Sequence, residues 1–334
     1  MTYNRRIFLK NATLGSVALG MPTLVWTGFA KVETGKRVGI IGLDTSHSTA
    51  FTKALNAAEA NPAYAGYRVV AAYPYGSKDI ESSTKRIPGY IDEVRKLNVA
   101  IVDSIADLLQ KVDVVLLETN DGRLHLEQAT QVLKAGKRVF IDKPMAASLS
   151  DVVAIFKASQ TYKIPVFSAS SLRYIKGVEG IDKSKVLGAD TFSPAVLEKT
   201  HPDLFWYGIH GVETLYTVMG TGCKEVTRVS TAGTDMVVGT WTDGRVGTFR
   251  GTRTGRHDYG GTVYLQSGNV TLGPYGCYEP LLKEIITYFA TGKVPVTPEE
   301  TIEIFAFMEA ADESKRQGGK TVSIASVMSK VTKY

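Results

Sequence analysis

The chain has 334 residues, 44% of them hydrophobic and 22% charged, an ordinary globular composition with material for one large or two medium domains. Its formal charge of +6 is weighted towards the first thirty residues, which hold Arg5, Arg6 and Lys10 and no acid; beyond them 36 basic residues face 33 acidic ones. So weak and dispersed a balance argues against a nucleic-acid partner, and two cysteines, Cys223 and Cys277, cannot form a disulfide framework. Free buried thiols are the expectation, with a single bridge left open to an exported chain.

In chain order, Asn4–Lys10 is a charged segment, Ala12–Val25 a mostly apolar run, and Gly28-Phe29-Ala30 a small-residue cleavage position. These are the parts of a signal peptide over residues 1–30, and the paired arginines before Phe8-Leu9-Lys10 resemble the twin-arginine type. The expected location is therefore the periplasm, with no membrane association after cleavage. Next, Arg37–Gly42 is a β-branched run stopped by glycine, as expected of a buried parallel strand. Helices are expected over Ser48–Ala60, Ser83–Leu97, Leu124–Ala135 and Ser148–Tyr162. A shorter helix follows the capping-box spacing Ser104–Asp107. Strands are expected at Tyr67–Tyr73, Val99–Val102, Val112–Leu117, Arg138–Ile141 and Pro165–Ser168. That alternation implies right-handed crossovers and a doubly wound parallel sheet over residues 35–168.

From residue 169 a second domain, running to 334, is expected. Val226–Ala232, Met236–Thr242, Val246–Arg253 and Thr262–Gln266 read as an open, mainly antiparallel sheet, with a hairpin turn at Asp243-Gly244. Tyr278–Ala290 is an amphipathic helix, and Thr297-Pro298-Glu299-Glu300 starts another that runs to about Gln317.

Val139–Pro144 runs from a buried strand into a carboxylate, an ammonium and a proline, so Asp142 and Lys143 stand at the sheet edge where open α/β folds bind ligands. The first turn, Gly42-Leu43-Asp44-Thr45-Ser46-His47, sits where a dinucleotide fingerprint belongs, yet only Gly42 matches. Asp44 and His47 hold the other glycine places, and a carboxylate beside a pyrophosphate repels it unless turned away. At the second strand's end Ser77 and Lys78 replace the usual acidic residue, a hydroxyl and a cation that lean towards NADP. His201 and His210, with His47 and Asp44, match no known ligand spacing, so no metal is assigned. His257, in the loop Arg253–Tyr259, reads as structural. Phe205, Trp206 and Tyr207 form an aromatic cluster with which Trp206 could stack on a sugar.

Four short motifs in order resemble the glucose–fructose oxidoreductase / inositol dehydrogenase (Gfo/Idh/MocA) family across nearly the whole mature chain. Asp142-Lys143-Pro144 resembles its Glu-Lys-Pro, and Thr119-Asn120 through His125 resembles its Thr-Pro-Asn…His turn. Leu172-Arg173-Tyr174 resembles its Arg-Phe/Tyr, and Trp206 to His210 its Asp-x-Gly-x-His. The resemblance implies a Rossmann domain, a second α/β domain, NAD or NADP as cofactor, and oxidation or reduction of a sugar or polyol carbon. It gives Thr119, Asn120, His125, Asp142 and Lys143 to the cofactor with Gly42, Asp44, Thr45, Ser46 and His47, and Arg173, His201 and Trp206 to the substrate. Lys143 would stabilise alkoxide charge and His210 would be the acid–base, with Tyr207 beside it. The family's relay aspartate, however, is here Trp206.

The expectation is thus an exported NAD(P)-dependent oxidoreductase acting on a sugar, glycoside or polyol, holding its cofactor tightly because the periplasm has no free nicotinamide pool. Homo-oligomerisation through the C-terminal sheet is expected. Two other readings stand beside it: an NAD-assisted hydrolase or lyase without net redox, and a non-catalytic carbohydrate-binding protein that has lost the cofactor.

Overall fold

The computed structural model describes residues 34–331, His257 excepted; the signal segment and the reading of His257 lie outside the described residues. The first sheet is built from β1 (Arg37–Ile41), β2 (Arg68–Tyr73), β3 (Ala100–Ile101), β4 (Val114–Leu117), β5 (Arg138–Ile141) and β6 (Val166–Ser168). All neighbours are parallel, in the order β3-β2-β1-β4-β5-β6. This is the doubly wound Rossmann order, whose ligand crevice opens where the winding reverses, between β1 and β4. The continuous apolar runs were the guide: all four residues of β4 are buried, as two covered faces require.

Helices α1 (Ser46–Asn56), α2 (Glu81–Arg95), α3 (Ile105–Lys111), α4 (His125–Lys134) and α5 (Leu149–Tyr162) make the crossovers. The expected capping box holds: the Ser104 hydroxyl accepts the Asp107 N–H at 3.0 Å. Ser148 caps α5 in the same way through Asp151 N–H. Helix α1 ends four residues before the expected Ala60. There the Asn56 side chain leaves the helix pattern to donate to Val69 O and Leu97 O and to accept Val69 N–H, stitching the chain to the neighbouring segments.

The second sheet has seven strands in the order β12-β11-β7-β10-β9-β8-β13. They are β7 (Val186–Pro194), β8 (Cys223–Ser230), β9 (Thr234–Trp241), β10 (Val246–Thr252), β11 (Gly260–Leu265), β12 (Gly268–Leu272) and β13 (Val322–Ser323). β7 runs parallel to β10 and the other pairs are antiparallel, so the sheet is mixed but mainly antiparallel. Three of its strands escape sequence pattern: β12, β13 and the interior strand β7, where Gly188, Asp190, Thr191 and Ser193 interrupt the apolar alternation. The turn Asp243-Gly244 joins β9 to β10 as expected, with Gly244 at φ +87°.

Short α6 (Asp203–Trp206), α7 (Ile209–Met219), α8 (Glu279–Thr291), α9 (Pro298–Arg316) and α10 (Ile324–Val331) complete the chain. α9 starts as read, the Thr297 hydroxyl accepting Glu300 N–H at 3.2 Å. On β8, Arg228 is fully buried and pairs with Asp203, Asp235 and Asp312. α8 follows the second sheet in sequence but packs Leu281, Ile285 and Phe289 on the first, against Val38, Phe140 and Phe167. Hydrogen bonds hold it there, from Tyr288 to Pro165 O and Val139 O and from Arg138 to Phe289 O. Cys223 is buried and Cys277 exposed, and both are free. No described helix is long and apolar enough to cross a membrane.

Candidate active site

A cavity of about 600 Å³ opens at the carboxyl edge of the first sheet. One wall is the first turn of α1 (Thr45, Ser46, His47) with Asn120, Asp142 and Lys143 from the ends of β4 and β5. Opposite stand Trp206, Tyr207 and His210 from α6, α7 and the turn between them. Tyr259, Tyr275 and Tyr278, from segments far along the chain, add aromatic surface. Sequence reasoning missed these three because nothing local marks a tyrosine as facing a cavity.

Gly42 makes the turn that the fingerprint requires. Its φ is +89°, and a Cβ there would lie 2.5 Å from the Thr119 backbone. Asp44 does not line the cavity: its carboxylate is fully buried and turned away, accepting Asn120 N–H at 3.0 Å. Gly76 makes room for it, since a Cβ at that position would meet Asp44 Oδ2 at 2.0 Å. Burial, only partly offset by hydrogen bonds from Asn120, Ser83 and Ser77, raises the Asp44 pKa to about 6. A group raised in the folded state stabilises below its unfolded pKa and loses that contribution as pH rises through the folded value. Asp44→Asn is therefore expected to be more stable than the parent at pH 7.5, by up to about 3 kcal/mol at roughly 1.4 kcal/mol per unit. The gap should close towards pH 4 in urea unfolding.

Lys143 is nearly buried, its Nζ 5.3 Å from the centre of the Tyr207 ring. His210 Nδ1 lies 2.7 Å from Ser170 Oγ. Ser170 thus supplies a partner to the histidine where Trp206 replaces the expected aspartate, a role hidden in sequence because the two residues are forty apart. Burial, with Lys143 and His47 nearby, drives the His210 pKa well below the usual histidine value, so the ring is neutral at neutral pH and able to take a proton.

Several residues read as site residues lie elsewhere. Ser77 is buried and bonds Asp79 and Ile80 N–H at the start of α2, and Lys78 is exposed; neither lines the cavity, whose wall carries the cation Arg86 instead. His125 is wedged between Thr119 O and Met145 O, so both residues brace the turn after β4. Arg173 is ion-paired with Glu213 and Glu300. His201 accepts Gly122 N–H at 3.2 Å and stacks on Trp206, behind the cavity wall. Of the residues read as substrate contacts, Trp206 alone faces the cavity.

A Rossmann sheet with a crevice at its switch point, followed by a second, mixed sheet, is a build found among NAD(P)-dependent oxidoreductases. Residues 36–169 match the model of the Gfo/Idh/MocA family, described as "Oxidoreductase family, NAD-binding Rossmann fold". No curated protein matches it in sequence. Among solved structures, myo-inositol dehydrogenase from Lactobacillus casei in complex with NAD(H) and myo-inositol superposes with a TM-score of 0.67 at 18% identity, over 86% of this chain and 96% of that one. An oxidoreductase from Agrobacterium radiobacter in complex with NAD+, L-tartaric acid and magnesium gives 0.67 at 14%, over 88% and 100%. Myo-inositol 2-dehydrogenase from Lactobacillus plantarum gives 0.66 at 16%, over 86% and 98%. At such identities the likeness is one of fold.

The residues present fit a dinucleotide. The N-terminus of α1 has no side-chain cap, and the buried Thr45 hydroxyl has no partner among the described residues. Its first-turn N–H groups line the cavity as an anion site, and the carboxylate of Asp44, in the same turn, points away.

Proposed function

We propose that this protein is an exported NAD(P)-dependent oxidoreductase acting on a hydroxyl of a sugar, glycoside or polyol. The observation that carries the reading is the convergence of Lys143, Tyr207 and His210 on the same cavity as the uncapped first turn of α1. Thr45, Ser46 and Asn120 would hold the dinucleotide, which when bound supplies the hydride acceptor. Lys143 donates to the reacting hydroxyl and holds its developing negative charge. His210 takes the hydroxyl proton, with Nδ1 engaged by Ser170 and Nε2 the nitrogen for substrate. Trp206 and the three tyrosines offer apolar faces for the C–H side of a sugar ring. Two of the similar structures hold polyhydroxylated molecules, myo-inositol and L-tartaric acid, which supports this substrate class.

The exported protein is expected to release a near-stoichiometric dinucleotide on heating, identified as NAD(H) or NADP(H) by mass spectrometry, and one sugar or polyol class should reduce it in place. Protein that is empty and fails to bind added dinucleotide would overturn the reading, leaving the cavity as a carbohydrate-binding site. Product formed without any change in cofactor redox state would favour hydrolysis or elimination.

The outer face of the second sheet supports self-association: Leu187, Phe192, Val229, Val246 and Tyr264 are all exposed on β7, β8, β10 and β11. Light scattering is expected to find an oligomer, and Leu187→Lys with Val229→Glu to dissociate it.

A further inference from the structure

The ends of three separate elements meet beneath the cavity. His47 comes from the first turn of α1, Glu118 follows β4 directly, and Asp142 follows β5 directly. One potential ligand atom from each lies within 4.8 Å of the other two. His47 Nδ1 is 2.8 Å from Asp142 Oδ2 and 4.0 Å from Glu118 Oε2. Glu118 and Asp142 are wholly buried and His47 nearly so.

Glu118 is the residue without an account. Neither of its carboxyl oxygens has a hydrogen-bond partner among the described residues, although no part of the side chain reaches solvent. A carboxyl group in that state is among the most costly features a protein interior can hold, and it calls for a partner that side chains do not supply. The reaction proposed for Lys143 and His210 makes no use of it.

We propose that His47 Nδ1, Glu118 and Asp142 form a binding site for a divalent transition-metal cation of the zinc or manganese class. One imidazole nitrogen and two carboxylates are the donor set such ions accept. Two carboxylates also balance a double positive charge, so the loaded site is neutral with a neutral imidazole, and the orphaned Glu118 oxygens gain their partner. Ligand atoms about 2.0–2.2 Å from a metal stand roughly 3.0–3.5 Å from one another. Side-chain rotation alone would open the His47–Asp142 contact slightly and draw Glu118 inward. Asp142 is already oriented through its other oxygen, Oδ1, which accepts Lys143 N–H at 2.8 Å, the kind of outer contact that fixes a ligating carboxylate. His47 and Asp142 line the cavity while Glu118 lies behind them, so the remaining coordination positions face the space where a hydroxylated substrate would enter. Positions 47, 118 and 142 share no ligand spacing, which is why sequence alone assigns no metal.

The test takes the full chain as isolated. Metal content is measured by mass spectrometry before and after chelation, and the stripped protein is titrated with zinc or manganese alone by calorimetry. One equivalent per chain is expected, with cobalt substitution giving visible d–d absorption. Glu118→Gln and Asp142→Asn should each weaken binding by about 100-fold or more, with the circular dichroism spectrum showing that each variant is folded. Wild-type protein that takes up no stoichiometric metal at millimolar cation, with or without dinucleotide, overturns the proposal and leaves a water or a proton as the partner of Glu118. Uptake unchanged in both variants overturns it too, since the ion then binds elsewhere. Dinucleotide content is measured on the same samples, so failure of the cofactor reading and failure of the metal site are told apart.

Discussion

Lys143→Met is expected to lower kcat by about 10²–10³-fold, the usual cost of removing one donor aimed at developing negative charge. Methionine keeps an apolar stem over the Tyr207 ring, and Lys143 makes no ion pair among the described residues, so folding and dinucleotide content should stay at parental levels. The change belongs mainly in kcat, because the alkoxide charge exists in the transition state and not in the bound alcohol. Cofactor absorbance in a single turnover reads it directly. His210→Asn should fall in the same range, and the double variant should lose little more than either single one if the two residues act as a unit. Turnover of Lys143→Met within a factor of about 2 of the parent would remove Lys143 from the chemistry.

The largest effect on stability is expected at Arg228. Its guanidinium is wholly enclosed and bonds Asp203, Asp235 and Asp312, two of which are themselves buried. Arg228→Leu takes from Asp312 its ion-pair partner and leaves Asp235 and Asp203 with Arg253 and Lys315 alone, a loss of about 3–5 kcal/mol by comparison with other broken buried pairs. Burial already lifts Asp312 to about 7 with the arginine present. Without it the buried acids rise further, and acids raised in the folded state cost stability as pH increases. The deficit of the variant in urea unfolding should therefore be larger at pH 8 than at pH 5.5.

What could be read from the sequence follows what is locally written. Strands buried on both faces announce themselves as unbroken apolar runs, which is why Arg138–Ile141 agrees residue for residue. β7 does not, because its inner residues include Ser193 and Thr191, and its pairing with β10 lies more than fifty residues away. The site divides in the same way. Lys143 was legible as the ammonium at the end of a buried strand. Ser170, Glu118 and Tyr275 were not, since each gains meaning only from what the fold sets beside it. Lys78 illustrates the converse error: its sequence position suited a 2′-phosphate, but the chain turns it to solvent while Ser77 goes inward to start α2.

The return of α8 to the first sheet also bears on how the chain folds. The face formed by Val38, Ile40, Phe140 and Phe167 is shared with Phe51 and Leu55 of α1, but the part that α8 covers stays open until residues 281–289 have been synthesised, more than a hundred positions after the last strand of that sheet. The latch between Arg138 and Phe289 O spans 151 residues. Long-range closure of this kind slows folding and leaves an apolar surface exposed meanwhile. The Rossmann half is therefore not a unit that can finish as it emerges from the ribosome: it waits for the other half to hand back one helix, and the two halves complete their folding together.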